Sequence, residues 1–219
     1  MKQQALKIIL LLSAFLFCPL SPAFSADATP APKAAAAPPG LKEIELTIAL
    51  RDLWDGHIFW VRNVVVATHY HDAKAAKAAE DQVVQNAKNI GDAIAGFYGK
   101  EAGDKLFKLL AGHYGAVKDY MNASFKGDKK AETAATDKAT KNAEEIASFL
   151  SSANPYLPKD VLFSLLAAHY GHHVTQIDNV AAKDFAAEAH NWDAMLKHIN
   201  GVADTLAGAL AKQFPEKMK

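Results

Sequence analysis

Cysteine is almost missing from this 219-residue chain: Cys18 is the only one, and it lies in the first segment. With one cysteine there is no internal disulfide, no thiolate metal cluster and no CxxCH, so covalent haem attachment is excluded. Proline is confined to the N-terminal stretch, Pro155, Pro158 and Pro215, which leaves residues 40–154 free of proline. Neither sign of charge is in excess, with 24 Lys and Arg against 24 Asp and Glu. The clustered basic surplus of a nucleic-acid binder is therefore lacking. A phosphate-cradling glycine loop, a nucleophile elbow and a dinucleotide fingerprint are also missing, which removes nucleotide-dependent enzymes.

The longest apolar run, Ile8–Phe17, follows Lys2 and Lys7 and ends at small residues around Ala23–Ala28. It is too short for a membrane span of roughly 20 residues and reads as an export signal over residues 1–26. Export implies a periplasmic or secreted protein without stable membrane insertion; an uncleaved segment would instead anchor the chain. Phe17, before Cys18, is bulky where a lipobox wants a small residue. Loss of Lys2 and Lys7 would leave 22 basic against 24 acidic groups, a balance of −2, and no cysteine. Such a domain must hold itself by core packing alone.

Residues 27–40, rich in Pro and Ala, predict an extended spacer. From residue 41 to 219, Ala, Leu, Lys and Glu dominate, with apolar residues recurring at three and four, which predicts a single all-α domain. A repeated phrase subdivides it. Asp104–Gly115 (DKLFKLLAGHYG) and Asp160–Gly171 (DVLFSLLAAHYG) agree at nine of twelve positions, 56 residues apart. Leu50–Ile58 is a degenerate first copy that keeps Gly56 and His57. The period predicts a six-helix bundle of three pseudo-repeated antiparallel hairpins, about 41–99, 100–155 and 156–215. Turns are expected near 72, 127 and 183.

His57, His113 and His169 occupy the same place in each repeat, on the stripe that faces the core. Asn86, Asn142 and His198 each follow the repeated histidine by 29 residues and come level with it across the hairpin. One account therefore pairs each buried imidazole with that neighbour, as part of a purely structural envelope protein. A second account has the hairpins closing around a common axis. His57, His113 and His169 then converge on a transition metal (zinc, copper or iron), a non-covalent haem or another small ligand, and the asparagines orient the rings. A metal-dependent enzyme built on the same triad would place Arg62 or Tyr114 near an open coordination position.

The third repeat departs from the others. His172 and His173 follow His169 at i+3 and i+4, and His198 stands in place of asparagine, so His169, His173 and His198 could form a local site. Three weaker signals have plain readings. His69–Asp72 predicts an exposed turn, and Trp54 and Trp60 are core aromatics. Asp81, Asp137 and Asp193, also 56 apart, predict carboxylates near the positive ends of helix dipoles.

The opening Leu53-Trp54-x-x-His57-x-x-Trp60-x-Arg62, together with Asn142–Pro155 and the closing Gln213-Phe214-Pro215, resembles a family of small uncharacterised bacterial helical proteins. These share an LWxxHxxWxR motif and one histidine per repeat. The resemblance spans residues 46–216 and implies the helical fold and a histidine set of His57, His113 and His169, with Trp54, Trp60 and Arg62 as further matches. Val61 stands where the family more often has threonine. Members sometimes carry kinase or transferase labels, which no phosphate-binding element in this chain supports.

Overall fold

A computed structural model describes residues 40–219 of the chain. The expected signal (1–26) and the spacer as far as residue 39 lie outside the described residues. The rest is helical: α1 (Leu41–His69), α2 (Ala73–Tyr98), α3 (Lys100–Ser124), α4 (Lys129–Ala153), α5 (Lys159–Ala181) and α6 (Phe185–Gln213), then a short 3₁₀ turn, Pro215–Met218. Among the described residues no helix is long and apolar enough to cross a membrane.

The connections follow from local chemistry. Asp72, Asp128 and Asp184 each cap the next helix by accepting a hydrogen bond from the amide three residues on, at Ala75, Ala131 and Ala187. The residue before each cap is left-handed: His71 (φ 57°), Gly127 (φ 68°) and Lys183 (φ 58°). Its amide and that of the capping aspartate close the preceding helix on Thr68 and Ala67, on Ser124 and Ala123, and on Val180 and Asn179. This is the Schellman closure, formed three times at positions 56 apart. Asp81, Asp137 and Asp193 are not in these first turns. They sit nine residues beyond the caps, exposed, with Asp81 in an i,i+4 pair with Lys77. The dipole-end expectation for them is thus corrected, and the carboxylates that serve the helix starts are the three caps.

Each helix packs against the next in order, and α6 returns against α1, so the bundle closes. Inside it α5 lies against both α1 and α3. α2 and α3 meet most closely where Gly91 faces Gly103, since a Cβ on Gly103 would stand 2.5 Å from the Gly91 carbonyl oxygen. Two apolar clusters fill the interior. One gathers Leu50, Trp54, Leu106, Leu110, Leu162 and Leu166, and the other gathers Val61, Val65, Tyr114, Val117, Tyr170 and Ile177. The first surrounds an apolar void of only about 20 Å³, so its leucines are close-packed. Along α1, α3 and α5 the histidines fall between the two clusters, as a polar layer in an otherwise apolar core.

Candidate metal centre

α5 supplies two histidines one helical turn apart on the same face, and their Nε2 atoms are 3.2 Å apart. α1 brings His57 onto the same point. Its ring centroid is 5.4 Å from that of His169 and 5.7 Å from that of His173. One ring nitrogen from each of His57, His169 and His173 lies within 4.8 Å of the others. The three residues are 5%, 1% and 0% exposed. A tetrahedral or trigonal ion held at about 2.05 Å needs nitrogens about 3.3–3.6 Å apart, so about 1 Å of side-chain movement closes the set.

His113 comes from α3 and stacks on His169 at 5.6 Å, inclined by 20°. It therefore borders the cluster of nitrogens, and the place in it expected for His113 is taken by His173. The cause is tertiary. Because α5 lies against both α1 and α3, that one helix contributes twice, where an even threefold arrangement would draw one ring from each hairpin.

The fold satisfies these imidazoles only in part: His169 and His173 share one Nε2–Nε2 hydrogen bond. His57 Nε2, both nitrogens of His113, His169 Nδ1 and His173 Nδ1 are buried without a hydrogen-bond partner. Each such atom costs roughly 1–3 kcal/mol relative to a bonded one. Burial also holds the rings neutral. Desolvation, then the positive charge that His113 would carry, lowers the His57 pKa to about 3, and desolvation lowers that of His113 to about 4. His169 and His173 are also lowered well below the ordinary value, by burial first and by neighbouring imidazoles second. Neutral rings with free lone pairs are the form that binds a metal.

The expected neighbours do come level: Asn142 lies against His113, whose pKa burial lowers by more than that amide raises it, and His198 stacks on His169, but their hydrogen bonds go elsewhere. Each of those partners reaches a backbone carbonyl one turn before the histidine: Asn86 Nδ2 to Leu53 at 2.8 Å, Asn142 Nδ2 to Leu109 at 3.0 Å and His198 Nε2 to Leu165 at 3.0 Å. Glycine makes room for the amide in the first two hairpins, since a Cβ on Gly56 or Gly112 would stand 3.1 or 3.0 Å from the asparagine Nδ2. In the third hairpin Ala168 holds that position and His198 replaces the asparagine.

On the far side of His173 runs a polar chain that has no sequence motif. The fully buried Gln176 lies against His173 and donates to Glu188 Oε1 at 3.4 Å. Glu188, 1% exposed, accepts both arms of Arg62 at 2.7 and 2.8 Å. The Arg62 hydrogen bonds are the main cause holding the Glu188 pKa below the usual carboxylate value. Arg62 lies over Trp192 at 5.4 Å and is committed to this pair. Tyr114 is buried with its hydroxyl unbonded. Trp54 is core and Trp60 half-buried, and His71 and Asp72 form the exposed turn anticipated for them. The chain matches no protein-family model, no curated protein and no solved structure.

Proposed function

We propose that this is an exported, non-catalytic helical protein that binds one transition-metal ion in the bundle core through His57, His169 and His173, with His113 as the adjacent fourth imidazole. The observation that carries the reading is the set of five buried ring nitrogens without partners. A fold that needed these histidines only for its own polar contacts would pair them. An ion at this point would give His57 Nε2 a partner and take the place of the proton shared between His169 Nε2 and His173 Nε2.

The donor set is all imidazole, with no thiolate and no carboxylate among the converging atoms. That chemistry suits zinc, copper or iron and disfavours calcium or magnesium. A bare ion fits better than haem, because ring centroids 4.5–5.7 Å apart leave no slot for a macrocycle between them. Burial of all three rings favours holding an ion over turning over a substrate. The supporting fold reads as one hairpin used three times; the repeated caps, left-handed residues and carbonyl contacts favour this.

Protein prepared without a histidine tag, freed of metal and dialysed against limiting Zn²⁺ or Cu²⁺, should retain one ion per chain, and His113→Ala should retain most of that capacity. Substoichiometric metal in the wild type, with a loss of stability in His113→Ala, would leave the histidines a structural role and defeat the proposal.

A further inference from the structure

Six of the nine histidines form a continuous run of rings that leads from the buried triad toward solvent. His169 stacks on His198 at 6.4 Å, inclined by 10°, and His198 meets His172 at 5.2 Å. Both outer rings are half-buried. His172 is held in place by Asn191, whose Oδ1 accepts from His172 Nδ1–H (3.1 Å) and whose Nδ2 donates to the His172 carbonyl (3.0 Å). His198 is held through Nε2 on Leu165. The other nitrogen of each ring, His172 Nε2 and His198 Nδ1, carries no hydrogen bond among the described residues and is not among the buried unpartnered atoms.

The other two hairpins act as internal controls. Where the third carries His172, they have Trp60 and Ala116, and where it carries His173, they have Val61 and Val117. Asn191 stands opposite Ala79 and Ala135, and His198 opposite Asn86 and Asn142. At these four positions the third hairpin is the one that carries an imidazole or the amide that orients one, apart from the Asn-for-His exchange at 198. The carbonyl contact to Leu165 accounts for a polar group at 198 but not for the imidazole at 172 or the amide that orients it, since the other two hairpins close with Trp60 or Ala116 and with alanines there.

We propose that His172 and His198 are the uptake and release route of the metal centre: a surface pair that captures a hydrated divalent ion and passes it to His169 and His173. The inference rests on the metal reading above. Moving a hydrated ion directly into an apolar core strips its water with nothing in exchange. Imidazoles spaced one ring apart replace those waters one at a time. The centre is then exchangeable, suited to taking up and handing over an ion rather than locking it in.

The test uses the full chain and Zn²⁺ alone, measuring uptake by stopped flow and release to excess chelator. Two variants are compared with the wild type: His172→Ala, and Ala168→Gly with His198→Asn, which copies the Gly–Asn arrangement of the other hairpins and keeps the carbonyl contact. Uptake and release should both slow by about tenfold or more while the equilibrium affinity stays within about threefold, the effect of a lost path and not a lost ligand. Wild-type rates in both variants, with zinc bound normally, would overturn the route and leave the metal centre standing. A change in affinity with uptake unaltered would also overturn it, since these rings would then be ligands or supports. Absence of zinc binding in the wild type would instead overturn the metal reading itself.

Discussion

The third hairpin and the first two share their aspartate caps and left-handed turn residues at matching positions, yet their buried positions differ. All three place leucine or tryptophan below the histidine layer, at Leu50 and Trp54, Leu106 and Leu110, and Leu162 and Leu166, all in one core cluster. One turn above the shared histidine, the first two continue with Val61 and Val117, whereas the third inserts His173. Valine there extends the apolar core and adds stability. Histidine there is neutral, fully buried and left with an unpartnered nitrogen, which subtracts stability unless something binds it. The contrast lies at one position: where the first two hairpins bury valine, the third buries an imidazole.

The largest expected effect is on acid stability. Histidine in the unfolded chain titrates near 6.5, whereas folded His57 and His113 do so at about 3 and about 4, and His169 and His173 are also depressed. With folded pKa values below the unfolded value, the unfolded state binds more protons in that window. Stability is therefore full above about pH 6.5 and falls as pH drops toward 4, by up to about 1.4 kcal/mol per pH unit for each buried ring. Urea midpoints of the metal-free protein from pH 7.5 to 4.5 measure this slope. His173→Val should remove about one proton from it, and an unchanged slope would equate the third hairpin with the others.

His173→Val also separates binding from folding. Losing one of three ligands should weaken zinc by on the order of a thousandfold, about 4 kcal/mol. The metal-free variant should be at least as stable as wild type, because replacing an unpartnered buried Nδ1 by the residue its sister hairpins carry offsets the lost Nε2 contact to His169. Zinc titration and urea unfolding in chelator read the two effects, and a destabilised metal-free variant would mean His173 is satisfied by the fold. A smaller effect tests the asparagine contacts. Gly112→Ala should cost roughly 1–2 kcal/mol by crowding Asn142, and much of that should disappear in the Asn142→Ala background, a coupling that a double-mutant cycle measures. Smallest is Lys183→Gly, which relieves a left-handed lysine where the second turn uses Gly127. It should raise stability by about 0.5–1 kcal/mol in thermal unfolding, and a loss would show that the turn has no such strain.

Much of the architecture was legible because it is local. The repeated phrase, the core-facing stripe that carries His57, His113 and His169, and the turns expected near 72, 127 and 183 are signals carried by neighbours in sequence. The aspartate caps and left-handed residues at those turns come from the structure. The identity of the converging nitrogens was legible only as an alternative. His173 was visible as the i+4 companion of His169, but its place beside His57 depends on how α5 sits against α1 and α3, which no single stripe encodes. Counting residues from a turn put Asn142 level with His113 without giving its direction around the helix, and the amide turned to the Leu109 carbonyl. Gln176 and Glu188 went unnoticed because a glutamine among apolar residues and a glutamate in the first turn of α6 look like surface groups. One available signal was the repeat itself, since Gln176 falls where the other hairpins have Val64 and Tyr120.

The central claim is that a metal ion sits among three specific rings, and an anomalous diffraction map of crystals grown with limiting zinc addresses it directly. The account predicts one strong peak in the bundle core, within about 2.0–2.1 Å of a nitrogen on each of His57, His169 and His173. A core without a peak, with zinc found only at exposed histidines such as His71, would contradict it.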